Sequence, residues 1–223
     1  MAHTPSTAKG RNTRARILSA ARQVFGRDGY VGTTMSAVAS EADMSLGGLY
    51  RYFRDKEDLF AALIADTHEE LFQASGNTPH DLATSPYEAI LEANQGYLTH
   101  YHRNRDIMRT LVEAASVEER FRDYWWEMRN RHIARFATAL KVKCGIEEVD
   151  GLAVDDLAEA AACMVEQSAY VWYAQDRLRE ATMPIDRAAR IVTRIWYNAF
   201  FGGETPPAGR GSHPGERYAT ADA

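Results

Sequence analysis

Residues 33–60 read TTMSAVASEADMSLGGLYRYFRDKEDLF, and the pair Gly47-Gly48 stands directly ahead of Leu49-Tyr50-Arg51-Tyr52-Phe53 in otherwise helical sequence. Thr34 is an N-cap residue before the short run MSAVASEA, in which Val38 and Ala39 face inward. Asp43-Met44-Ser45 then supplies a turn and a new N-cap at Ser45. Two short helices separated by a tight turn make a helix-turn-helix, a motif whose second helix places its N-terminal end in the major groove of DNA. A glycine in a helix interior costs roughly 1 kcal/mol relative to alanine. Close approach of the backbone to the bases offsets that cost; tight helix-on-helix packing is the competing explanation. Leu49 and Phe53, at i and i+4, face the small core, while Tyr50 and Tyr52 are placed to donate hydroxyl hydrogen bonds to phosphates.

Outward from this stretch the periodicity is helical. Ile17, Ala20-Ala21, Val24 and Phe25 recur on one face, so a first helix is predicted over about 13–27, with Gly29 closing it. A fourth helix starts near Asp55, which caps it, and continues through Leu59, Phe60, Leu63, Ile64 and Leu71. After a polar patch at 74–86 come longer helical segments, at about 86–103, 105–116, 118–143, 153–178 and 184–201, with no convincing period-2 strand pattern. The fold class expected is therefore all-α. Residues 1–10 read as a disordered arm, 11–56 as the helix-turn-helix domain, 57–201 as a helical body and 202–223 as a disordered tail.

Charge separates the two modules. Residues 1–56 carry nine Lys/Arg against four acidic groups, which leaves 17 basic and 27 acidic groups for the rest of a chain whose net charge is −5. A basic end on an acidic body points to one polyanion-facing module joined to a module with another task. The 223 residues, 45% hydrophobic and 26% charged, suffice for a real core and exclude disorder throughout. No apolar run follows the first methionine and no long uncharged apolar stretch occurs later, so a cytoplasmic location without membrane association is expected. Cys144 and Cys163 lack a paired spacing and read as thiols.

At these residues the sequence resembles the TetR family of bacterial transcriptional regulators. The family pattern corresponds here to Thr34, Ser45, Gly47, Leu49-Tyr50-Arg51-Tyr52-Phe53 and Lys56-Glu57, over about residues 13–62. The resemblance implies phosphate contacts at Thr34, Tyr50, Tyr52 and Lys56, and positions facing the bases or the groove at Ser36, Leu46, Gly47, Gly48 and Arg51. Ser45 opens the recognition helix, and Arg11 and Arg14 belong to the arm that adds DNA contacts. Asp43 departs from the pattern, standing where the family usually has glycine, which calls for a left-handed aspartate. Leu46 offers a contact for a thymine methyl but no hydrogen bond to a base edge.

For the body the resemblance is architectural. It implies an effector pocket within the C-terminal helices and a homodimer built on the last two long helices. Independently, both of those segments show apolar or small residues on more than one face, which requires a core and a partner. Leu157, Ala161, Met164, Ser168 and Trp172 form one stripe, and Ala189, Val192, Trp196 and Phe200 the other. Aromatic and Met residues interleaved with polar ones make Tyr97, His100, Tyr101, Met108, Trp125, Met128, His132 and Phe136 candidates for the pocket, with Glu166 and Gln167 as polar contacts. Such a lining suits a mostly apolar small molecule. No cofactor and no metal are expected, and no catalytic motif is present; His100 and His102 fall on different sides of a helix. The reading is a homodimeric, ligand-responsive DNA-binding regulator, a repressor rather than an activator. A protein-binding adaptor or an enzyme without a recognisable motif are the alternatives, and the adaptor does not account for the recognition-helix pattern.

Overall fold

The computed structural model describes residues 7–76, 78–175 and 181–202. Its first helix, α1 (Ala8–Gly32), begins earlier than the expected Thr13 because Thr7 caps it, accepting a hydrogen bond from the Gly10 amide at 3.1 Å. Residues 8–10, expected in a disordered arm, are therefore helical, and Arg11 and Arg14 lie on a helix. Gly29 breaks α1 at φ 71° and ψ −178°, a conformation that L side chains avoid, and the chain turns there as expected.

Three side-chain caps then set three helices. Thr34 accepts from the Ala37 amide at 3.2 Å to start α2 (Met35–Glu41), and Ser45 accepts from Gly48 at 3.1 Å to start α3 (Leu46–Tyr50). Asp55 accepts from Asp58 at 2.6 Å to start α4 (Lys56–Ala74). Asp43 sits at φ 49°, the left-handed aspartate that the turn between α2 and α3 demands.

The body follows as α5 (Pro86–Arg103), α6 (Arg105–Val117), α7 (Glu119–Ala139), α8 (Val154–Ala169) and α9 (Ile185–Phe201). Two of these end in wider π turns, α7 through Leu140–Cys144 and α8 through Tyr170–Ala174. Between α7 and α8 lies a feature the sequence reading passed over: an antiparallel hairpin of β1 (Glu148–Val149) and β2 (Leu152–Ala153), in register Glu148↔Ala153 and Val149↔Leu152. Its two-residue turn is Asp150-Gly151, both at positive φ, as a type I′ turn needs. Of the expected tail, all but Gly202 lies outside the described residues.

The packing does not divide at residue 56. Val24, Phe25, Val38, Leu49, Phe53 and Phe60 form one continuous buried cluster with Ile107, Leu111 and Ala114 of α6 and Phe121 of α7. Phe25, Tyr30, Phe60 and Phe121 meet as a knot of rings with centroids between 4.6 and 6.3 Å apart. Two further clusters fill the body, one among α5, α8 and α9 around Leu98 and Val192, the other around Ile90, Leu140 and Phe200. Burying large aromatic and aliphatic side chains stabilises by about 1.5–3 kcal/mol each. The helix-turn-helix thus draws its stability from the same core as the body.

Candidate DNA-binding face and effector cavity

The α2–α3 unit presents a polar surface that its own core fixes in place. Leu49 and Phe53 are 0% and 1% exposed, while Leu46, Gly47, Tyr50 and Arg51 between and beside them face solvent. Thr34, Ser36 and Ser45 are exposed on the same unit, with Thr34 Oγ1 3.1 Å from Ser36 Oγ. The two glycines have different reasons. A Cβ at Gly48 would meet Ser45 Oγ at 3.1 Å and Met44 Cε at 3.2 Å, a packing constraint. A Cβ at Gly47 would meet nothing within 4 Å, so internal packing does not explain it. Its bare backbone instead leaves room for a partner outside the fold.

Other expected DNA contacts are placed less openly. Tyr52 is half-buried against the core. Lys56 donates from Nζ to the Tyr30 carbonyl at 2.9 Å and sits 4.5 Å from the centre of the Tyr30 ring, leaving two of its three N–H groups for another acceptor. Arg14 lies 3.8 Å from Asp66 and 5.6 Å from the Phe53 ring, tied to α4. Arg11 is exposed on the first turns of α1.

A cavity of about 350 Å³ lies in the body between α4, α5, α7, α8 and α9. Of the residues predicted for it, Tyr97, Met108, Trp125, Met128, His132, Phe136 and Glu166 line it. Three do not. His100 is buried at the junction of α4 and α5, where its Nε2 donates to the Thr67 carbonyl at 3.0 Å. Tyr101 is a core residue, 2% exposed, and Gln167 is exposed on α8. The lining also holds polar groups that the sequence reading missed: His68, Asn94, Arg129 and Arg135.

These polar groups form two poles. At one, Glu166 accepts from Trp125 Nε1 at 2.7 Å and from Arg129 Nε at 3.3 Å, and Arg129 also pairs with Glu159 at 3.2 Å and touches the Cys163 sulfur. Burial pushes the Glu166 carboxyl up, against the pull of those two donors. At the other pole, Arg135 donates to the Phe72 carbonyl at 2.6 Å and to Ser75 Oγ at 2.7 Å, without a carboxylate partner among the described residues. His68 and His132 stand beside it with rings 5.1 Å apart. Burial, helped by Arg131 for His68 and by His68 and Arg135 for His132, lowers their pKa values to about 4 and about 3.

The expected dimer stripes are mostly internal. Ala161, Ala189, Val192 and Phe200 are buried within the subunit, and Leu157, Ser168 and Trp172 are half-buried. Trp196 donates to the Ala161 carbonyl at 3.2 Å, packs 4.6 Å from Phe136 and lines the cavity. Only Met164 of the nine is exposed; on α9 the exposed large apolar residues are Ile191 and Ile195, outside the expected stripe. Among the described residues, no helix is long and apolar enough to cross a membrane, and no cluster of His, Cys, Asp and Glu is arranged to hold a metal ion.

A capped helix-turn-helix sharing its core with a cavity-bearing helical body defines a DNA-binding transcriptional regulator. Residues 17–63 match the model of the bacterial regulatory proteins of the tetR family. The chain is 31% identical over 157 residues to the HTH-type transcriptional regulator YfiR of Bacillus subtilis (strain 168), covering 66% of this chain and 72% of that protein. It therefore belongs to the TetR family. It is also 36% identical over 98 residues to the regulator HbdR of Aromatoleum sp. (strain CIB), covering 42% of this chain, and 40% identical over 57 residues to UidR of Escherichia coli (strain K12), covering 26%. These matches span 40% and 29% of the two relatives' lengths. Among solved structures, a TetR-like regulator from Rhodococcus sp. RHA1 superposes with a TM-score of 0.64 at 23% identity, covering 91% of this chain and 100% of that one. The TetR family regulator PfmR from Thermus thermophilus does so with 0.64 at 22%, covering 85% and 100%.

Proposed function

We propose that the protein is a homodimeric repressor that reads an inverted-repeat operator through α3 and is released by a mostly apolar small molecule held in the body's cavity. The observation carrying this reading is Gly47, an exposed glycine that nothing inside the fold requires, at the mouth of a capped recognition helix. Tyr50 holds a phosphate, and Arg51 reads a base edge from the solvent face of the same helix end. The cavity explains why the body exists, since its lining of Trp, Phe, Met and Ile with a few polar groups fits an amphipathic ligand. Fluorescence anisotropy with duplexes selected from a random pool tests it. Tyr50→Phe should weaken all duplexes about equally, whereas Arg51→Ala should change the preferred sequence; unchanged binding in both variants would remove the assignment.

A further inference from the structure

The charged side chains that line the cavity do not balance. Among the described residues they are Arg129, Arg135, Lys143 and Glu166, three cations against one anion. Arg129 is matched by Glu166 at 3.3 Å, and Lys143 by Asp81 at 2.8 Å. His68 and His132 add no charge near neutral pH, because burial lowers their pKa values to about 4 and about 3. Arg135 is left over. Its guanidinium sits within the lining, donating to Ser75 Oγ at 2.7 Å and standing so close to Gly76 that a Cβ there would lie 2.7 Å from Nη1. Arg131 and Arg135 both lie over the Phe72 ring, 3.7 and 4.0 Å from its centre, and Arg131 has Glu69 at 2.7 Å where Arg135 has no carboxylate among the described residues. With one N–H on the Phe72 carbonyl and one on Ser75, three of its five remain for an acceptor. A half-buried cation without a counter-charge is costly, and a ligand's anion removes that cost.

We infer that the effector is an apolar molecule ending in a carboxylate, which docks on Arg135 while its apolar part fills the chamber walled by Tyr97, Trp125, Met128, Phe136 and Trp196. This rests on the cavity being the effector site. An uncharged polar end would leave the guanidinium without a counter-charge, and an ammonium would set a second cation beside it. The opposite pole offers an ammonium little, since Glu166 already accepts from Trp125 and Arg129.

Trp125 and Trp196 line the cavity, so tryptophan fluorescence of the full chain follows occupancy, with titration calorimetry as a second readout. The probes are 4-hexylbenzoate, 4-hexylbenzamide and 4-hexylbenzylamine at neutral pH, alike in shape and respectively anionic, uncharged and cationic. The benzoate should bind at least about tenfold more tightly than the amide, as a charge-assisted contact gives over a neutral one. Arg135→Gln, which keeps a donor for the end of α4 and removes the charge, should erase that preference while holding the amide within about threefold, which also shows that the fold persists. Arg135→Lys, which keeps the charge, should retain part of the preference. Equal binding of benzoate and amide to the wild type, or a preference that survives Arg135→Gln or vanishes in Arg135→Lys, would overturn the carboxylate and leave the cavity reading standing. Tightest binding of the benzylamine would overturn it in favour of a cation at Glu166. Failure of all three probes to bind in either readout would overturn both.

Discussion

A residue with no internal reason to be what it is becomes informative, and Gly47 is such a residue. Because a Cβ there would meet nothing, Gly47→Ala should leave the fold intact and raise stability by up to about 1 kcal/mol through helix propensity, yet weaken operator binding. Thermal denaturation and anisotropy on the same sample check both halves; loss of stability would show that the glycine serves the fold. The cavity histidines give a second residue-scale prediction. Their folded pKa values, about 4 and about 3, lie below the ordinary 6.5, so the unfolded chain binds more protons as pH falls through 6.5. Stability should fall from pH 7 to pH 5, above the carboxylate range, and His132→Phe should flatten that slope in melting curves recorded across it. The capping residues at 34, 45 and 55 were legible in the sequence because a cap is a local contact between residues three apart. His68 was not: it lies among Leu63, Ile64 and Leu71 on α4, and periodicity alone cannot separate a core face from a cavity wall.

At the scale of elements, α6 ties the DNA-binding unit to the body. Glu113 accepts from the Tyr30 and Val31 amides at 3.0 and 3.1 Å, just past the break at Gly29, and Thr110 Oγ1 donates to the Phe25 carbonyl at 3.1 Å. The α4 side is held by Arg22 of α1, which donates to Thr67 Oγ1 at 3.0 Å and to Asn104. Both α4 and α6 are therefore hydrogen-bonded to α1 and the turn that follows it. Glu113→Ala leaves two amides without their carboxylate and should cost about 1–3 kcal/mol. Hydrogen exchange resolved at Tyr30 and Val31 should speed up in that variant; unchanged protection would show that the carboxylate is dispensable. The five long helices of the body start within a residue of where their apolar spacing put them, because that spacing repeats over several turns. The segment expected to run to 178, however, leaves the α-helix at Ala169 and the π turn at Ala174, with 176–178 outside the described residues. The hairpin escaped because two-residue strands carry no period, although Asp150-Gly151 was its visible turn signal. The π turns at Leu140–Cys144 and Tyr170–Ala174 have no sequence period of their own.

For the whole molecule, the decisive matter is which face of α8 and α9 turns outward. The sequence shows apolar residues on two faces of each helix, and spacing cannot say which meets the subunit's own core. The fold answers it for Ala189, Val192 and Phe200, which are at most 3% exposed, and for Trp196, which closes the cavity. What remains exposed among the large apolar side chains of these two helices is Met164 on α8 and Ile191 and Ile195 on α9, by 42%, 38% and 42%. In the proposed twofold dimer each residue of the contact is presented by both copies, so one substitution acts twice at the interface. Ile195→Glu should therefore convert a dimer to monomer at micromolar concentration in light scattering while leaving the helical content and the tryptophan response to cavity probes intact. Trp196→Glu should act differently, collapsing the cavity and costing stability before it touches assembly. The monomeric Ile195→Glu protein should also lose operator affinity far beyond a factor of two. A dimer engages two half-sites about one DNA turn, roughly 34 Å, apart, and the second contact becomes intramolecular. A variant that stays dimeric, or a monomer that binds the inverted repeat as tightly as the wild type, would show that these exposed residues of α8 and α9 are not where two copies meet.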